Sequence, residues 1–388
     1  MHKPLAVALG AFVFFGLFWG SFAVLLTDLS HALGLSPGPL GLAFFAGAAS
    51  SIAVMALLGR TVDRIGRRPF VLASGGVMGL GIAGLTAAEG YGTLLAALVI
   101  LYGASGLYDV GINAAAVDLE RASGRRIMAF FHAAFSGGGV AGALSSGALL
   151  SAGVGYRYVY LLVLVPLLAA LLGVAAIRPV ASGDPSRDGD GAGRSGLYTN
   201  LPLLLVASIA TLGLLSEGEM EHWSGIYLRD GLALPALLGA SGVAVFHAAM
   251  LVGRLPGRGL DREPPRQPPH AGGRRISHGG GDGAGARHAR AAPRRPGVPP
   301  RGRRLSAVVP IAFSVAGDLA PARAGAAISV VTTLGYGGFL LGPVIVGGLA
   351  EVFGLRTALG TIAVAGVAIL ALSARVGAGR KTTFGSGA

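Results

Sequence analysis

Apolar runs of about 20 residues, repeated along the chain, constrain this sequence more than any other feature. That is the length of helix needed to cross a hydrocarbon core about 30 Å thick. The runs fall at about 5–27, 38–58, 69–88, 91–116, 128–152 and 156–177. A second set follows at about 198–226, 234–253, 324–349 and 354–374, with a remnant at 305–318. Hydrophobic residues make up 53% of the chain and charged residues 13%, with a mean hydropathy of +0.67. That balance belongs to an all-α, polytopic membrane protein and not to a soluble globule. Met1-His2-Lys3 and the apolar run after it are too long for a signal peptide and read as a first spanning helix.

The net charge of +13 would suggest a nucleic-acid partner if it were spread over a surface, but it is concentrated. Residues 254–304 carry 13 Arg against Asp261, Glu263 and Asp282, about +10 in one window. That window lacks the interleaved aromatics or amphipathic helix that nucleic-acid or lipid-surface binding requires, so no nucleic-acid partner is expected. Elsewhere Arg and Lys follow alternate spans: Arg60, Arg64, Arg67 and Arg68 after span two, then Arg121, Arg125 and Arg126 after span four. Arg178, Arg187 and Arg194 lie in a polar stretch at 178–197 that reads as a flexible linker. By the positive-inside rule both termini and the linker are expected in the cytoplasm. The absence of cysteine excludes disulfides and thiolate metal sites. No metal-ligand spacing, catalytic triad or phosphate loop appears, so neither cofactor nor catalytic residue is expected.

The polar turn between spans two and three reads Gly59-Arg60-Thr61-Val62-Asp63-Arg64-Ile65-Gly66-Arg67-Arg68. This G-x-x-x-D-R-x-G-R-R pattern resembles the loop between helices 2 and 3 of the major facilitator superfamily of secondary transporters, with Thr61 where that family usually has Leu. Three further stretches narrow the resemblance: Asp109-Val110-Gly111-Ile112-Asn113-Ala114, Phe131-His132-Ala133-Ala134-Phe135-Ser136, and Glu217 through His222-Trp223-Ser224 to Tyr227-Leu228-Arg229-Asp230. They are similar to a bacterial subgroup that includes poorly characterised inner-membrane proteins and a rhizopine-associated membrane protein, distantly similar to sugar permeases. His222 stands where the subgroup usually has an acid. The resemblance implies two pseudo-symmetric six-helix bundles, 1–177 and 198–388, and a monomer that moves a small polar solute by alternating access, linked to protons. It also implies that Gly59 and Asp63, with Arg64 and Gly66, help lock the cytoplasmic side. Arg67 and Arg68 are read as setting topology.

Ionisable groups inside a span are costly and point to function. Span four holds Tyr102, Tyr108, Asp109 and Asn113; span seven holds Glu217, Glu219, Glu221, His222 and Trp223. Glu217 and Glu221 share one helical face. Asp109, preceded by a long apolar stretch, is the leading candidate for coupling or substrate contact, because a carboxylate in low dielectric can take and release a proton. For Glu219, Glu221 and His222 a solvated helix end is the competing explanation. Trp19 offers aromatic surface to a central cavity or to lipid. His132 and His247 read as satisfied hydrogen-bonding residues. Span five lacks the Gly-Pro element of proton-coupled drug antiporters while span eleven has Gly342-Pro343, which weakens the alternative of a drug exporter.

An internal repeat sets Gly59-Arg60 beside Gly253-Arg254 at an offset of about 194, and the glycines Gly137, Gly138, Gly139 and Gly142 beside Gly335, Gly337, Gly338 and Gly342. The halves therefore agree in length on both sides of residues 254–304, yet the counterpart of that window contains two apolar spans. Pro, Arg and Gly at this density form no spanning helix. Spans 9 and most of 10 are thus replaced by a stretch expected to be disordered, leaving about ten intact helices. Compensating frameshifts explain the preserved length better than an insertion does, and would make a transport-defective chain the alternative function. The other reading frames of the DNA encoding 254–304 are expected to contain a pair of apolar spans; the absence of such a pair from every frame would remove the frameshift explanation.

Overall fold

Hydrocarbon offers a backbone no water to bond, so a chain with these apolar runs satisfies its N–H and C=O groups within long helices. The computed structural model describes residues 2–125, 127–177, 197–254, 308–320 and 323–384. In order, the helices are α1 (His2–Ala32), α2 (Pro37–Leu58), the short α3 (Thr61–Ile65), α4 (Arg67–Thr86), α5 (Tyr91–Ser123), α6 (Met128–Ser151) and α7 (Tyr156–Ala176). The second half has α8 (Leu201–Ile226), α9 (Ala236–Arg254), α10 (Val308–Leu319), α11 (Ala324–Phe353), α12 (Leu355–Ala358) and α13 (Gly360–Phe384). Among the described residues ten helices are long and apolar enough to cross a membrane, the number expected from the sequence. The 12-residue α10 covers most of the apolar remnant expected from the sequence at 305–318 and runs one residue beyond its end. The linker at 178–196 and the Arg/Pro/Gly window, beyond the α9 end at Arg254, lie outside the described residues.

Helix ends run past the apolar stretches where polar side chains can be solvated or paired. The α5 helix continues through Asp118, Glu120 and Arg121 to Ser123. Its Glu120 then accepts the Ile127 and Met128 backbone N–H groups at 2.7 and 2.8 Å, capping the start of α6. A π-helical turn, Tyr227–Gly231, extends α8.

Two seams hold the helices in pairs, and the same chemistry builds both. Lipid removes the hydrophobic drive between helices, so association rests on close packing of small residues. On α6, Gly138 lies against the Val13 carbonyl of α1 and Gly142 against Leu17, while Gly16 and Gly20 of α1 meet Phe135 and Gly139 in return. On α11, Gly338 lies against the Thr211 carbonyl of α8 and Gly342 against Leu215. The glycine spacing and the spacing of their partners repeat from one half to the other. Bonds across the seams add to the packing: Ser21 Oγ donates to the Gly142 carbonyl at 3.3 Å, and Thr211 Oγ1 to the Leu334 carbonyl at 3.0 Å.

The short α10 is not idle. Ala312 and Ala316 pack with Ala207 and Ala210 of α8 and with Val330 and Val331 of α11, giving the second half its own buried core.

Gly138→Leu is expected to force α1 and α6 apart and lower stability by about 3 kcal/mol, the upper range of overpacking, read as a lower thermal midpoint in detergent. Gly137→Leu on the same helix meets nothing within 4 Å and should leave the midpoint unchanged.

Candidate functional site

Between the halves lies a cavity of about 270 Å³, walled by α1, α2, α5, α6, α8, α9 and α11. Successive helices alternate in direction, so its depth follows from which residues reach it. It takes Phe12 to Trp19 from α1, Ala48 to Met55 from late in α2, His132 and Phe135 from early in α6, and Phe246 to Met250 from late in α9. All lie toward the end of the molecule that carries α3 and the polar turn.

Trp19, Tyr102, Asp109, Glu217 and Glu221, all singled out from the sequence, line this cavity. The Asn113 amide donates to Asp109 Oδ1 at 2.8 Å and to the Asp109 carbonyl at 2.9 Å, fixing the carboxylate from one turn further along α5. Tyr108 is elsewhere. Its ring is fully buried against Phe14 and Phe15 and does not reach the cavity. Glu219 faces away from its two neighbours and meets the Thr361 hydroxyl of α13 at 3.1 Å, a contact with a neighbouring helix in place of a solvated helix end.

Histidines from both halves also reach this site. His132 and His247 both line the cavity, and His247 Nε2 stands 3.9 Å from Glu221 Oε1. The His247 ring fits against α6 because residue 139 is glycine. His222 is buried, with Nδ1–H donating to the Gly218 carbonyl at 2.7 Å and Nε2 accepting the Tyr102 hydroxyl at 2.7 Å. Among the described residues no cluster of His, Asp and Glu could hold a metal ion.

Away from the polar turn the halves are tied together. Arg229 pairs with both carboxylate oxygens of Asp28, and His31 Nε2 meets Asp230 Oδ2 at 3.1 Å. The Gly38 N–H donates to Glu351 Oε2 at 2.8 Å, and the Leu237 N–H to Ser151 Oγ at 3.1 Å. Backbones also close up there: Gly41 lies against the Pro343 carbonyl, Gly347 against Pro37, and Gly147 against Leu237 and Ala240. The cavity is therefore sealed at this end.

At the opposite end the polar turn is a helical corner and not a loop. Gly59 closes α2, and Gly66, at φ 88°, makes the left-handed bend between α3 and α4 that favours glycine. Arg67 pairs with Asp63 one turn before it and donates from Nε to Asp118 Oδ2 at 2.9 Å. Arg68 donates to the Ala175 carbonyl of α7, while Asp63 and Arg64 are exposed. Among the described residues all these bonds stay within the first half. Arg67 and Arg68 thus tie α3, α4, α5 and α7 together, a structural part beyond setting topology. The Asp118 side chain is only 2% exposed, and removing one partner of a buried pair costs about 3 kcal/mol or more. Arg67→Ala is expected to destabilise by that amount in thermal unfolding, and Arg64→Ala by little.

Comparison with known proteins agrees with this architecture. Residues 7–273 match the Major Facilitator Superfamily. An uncharacterized MFS-type transporter of Yersinia pestis is 30% identical over 353 residues, covering 91% of this chain and 90% of that protein. Membrane protein MosC of Rhizobium meliloti is 29% identical over 379 residues, covering 96% of this chain and 90% of that one. Among solved structures, the nucleoside transporter NupG superposes with a TM-score of 0.62 at 13% identity, covering 96% of this chain and 99% of that one. A D-xylose–proton symporter superposes with a TM-score of 0.53 at 12% identity, covering 96% and 87%. The chain is a multi-pass membrane protein and belongs to the Major Facilitator Superfamily of secondary transporters.

Proposed function

We propose that this transporter moves a small polar solute across a bacterial inner membrane by alternating access, with proton movement coupled to the solute. The single observation that carries the reading is a cavity between the halves, lined by Asp109, Glu217 and Glu221 and, among the described residues, bridged by polar ties at one end. Three carboxylates stand together in a site walled by Phe12, Phe15, Phe135 and Phe339. Ionisable groups at such depth are retained for substrate contact or proton exchange. The aromatic walls supply apolar contact, and a few convergent polar groups fix orientation, as in other small-molecule sites.

The Arg and Lys distribution supports a cytoplasmic side that carries the polar turn, both termini and the linker. The cavity then opens inward and the sealed end faces outward. Residues 1–177 and 198–388 act as the two rocking bodies, each held by its own glycine seam. In the opposite state the turn around Gly59 and Asp63 approaches the second half and takes part in closing the cytoplasmic side. The protein works as a monomer in the bilayer.

The full chain, reconstituted in liposomes under an inward proton gradient, is tested with labelled hexoses, polyols and amines. At least one class should accumulate and be released by a protonophore. Asp109→Asn or Glu217→Gln should abolish gradient-driven accumulation yet leave solute exchange across the membrane intact. Accumulation that ignores the protonophore would remove proton coupling. Entry of no class, by this chain or by one with two apolar spans restored at 254–304, would remove the transport reading.

A further inference from the structure

Polar contacts between the halves differ in their access to water. The outer ties are partly solvated: His31 and Asp230 are 60% and 37% exposed, Arg229 and Asp28 18% and 24%. Such pairs are screened and individually weak. The bond from the Tyr102 hydroxyl of α5 to His222 Nε2 of α8 is different. Its residues are 3% and 1% exposed, and it joins the halves between the cavity and the outer ties.

Both ends of this bond are fixed. Nδ1–H of His222 is committed to the Gly218 carbonyl one turn back on α8, which leaves Nε2 as an acceptor. The His222 ring is held against Phe44 of α2 and Phe339 of α11, with centroid distances of 4.7 and 5.9 Å. Tyr102 packs edge-on against Trp19 and Phe22 of α1, at 5.0 and 6.1 Å. The Tyr102 ring itself borders the cavity, whereas His222 does not. Any movement that connects the cavity to the sealed face must draw α5 away from α8 here.

We infer that the Tyr102–His222 hydrogen bond is the inner latch of the sealed state, which makes both side chains positioning residues of the transport cycle. While the end is shut, each supplies the only partner described for the other's inward polar atom, and no water competes. When the halves part, cavity water reaches both atoms and replaces the bond at little cost. The latch therefore favours the sealed state without trapping it. Removing the tyrosine hydroxyl alone leaves the buried imidazole nitrogen without a partner in the sealed state only, because water serves it in the open one.

The inference rests on alternating access, and its test separates the two. The chain has no cysteine, so single reporters are free of background. Ser224→Cys places a thiol at the buried, sealed end, and Ser51→Cys places one in the cavity. Maleimide labelling of detergent-purified protein then reads both ends. Tyr102→Phe should raise labelling at the sealed-end reporter by roughly fivefold or more, the population shift expected from one buried unpaired group, and lower it at the cavity reporter. Adding His222→Phe removes the unpaired nitrogen and should return both rates toward those of the parent, a non-additivity that general loosening does not produce. Unchanged rates, equal rises at both reporters, or additive effects of the two substitutions would overturn the latch. A protein that transports but gives any of those results keeps the transport reading and loses this one.

Discussion

Helices in lipid gain nothing from hiding apolar surface from one another, so what holds this protein together is how closely backbones can approach. Glycine decides that distance. On the α1–α6 and α8–α11 seams a single Cβ would overlap a backbone carbonyl of the neighbouring helix, so each pair packs at the minimum separation the chain allows. A contact of that kind has no slack and cannot slide. Each half therefore has a rigid pair at its centre, and the freedom of the molecule is left to the surfaces between halves.

Those surfaces are unequal along their length. At one end Gly41, Gly147 and Gly347 let α2 meet α11 and α6 meet α9 closely, and charged or polar pairs bridge the gap. Toward the other end the same helices carry Met55, His132, His247 and Tyr336 into a cavity. Bulk replaces glycine, and the halves diverge. The carboxylates sit where they diverge, on the wall of the cavity, whereas in the seams a charge would be an uncompensated cost. The buried bond between halves from Tyr102 to His222 lies where the regimes meet.

This gradient explains which parts were legible in the sequence. Spanning helices announce themselves by length and hydropathy, and the repeated glycines of spans five and eleven marked seams that the structure places in equivalent positions. Asp109, Glu217 and Glu221 stood out because ionisable groups in apolar runs need a reason. Tyr108 stood out equally and went elsewhere: it is one residue, and so about 100° of helix, away from Asp109. Nothing in a single apolar run says which face meets the other half. The surroundings of the histidines were hidden for a related reason, since each acquires its company only through folding. His222 meets Tyr102 from 120 residues away, and Arg229 meets Asp28 from 201. The polar turn misled in a smaller way. Its arginines satisfy the positive-inside pattern, which hid that Arg67 has a buried partner 51 residues on, in Asp118.

The placement of these ties also bears on the chain's least regular part. Every bond described between the halves comes from α1, α2, α5, α6, α8, α9, α11 or the turn after α8. Among the described residues α10 packs its alanines into the core of the second half. The sealed state thus draws on parts of the sequence that keep their expected apolar character. Closing the opposite end makes a different demand. There the first half presents the Asp63–Arg67–Asp118 corner at the end of α2. The corresponding end in the second half is Gly253-Arg254, where the Arg/Pro/Gly stretch begins. If the altered window impairs transport, the impairment belongs to the step that shuts the polar-turn end, and the sealing of the far end should survive it.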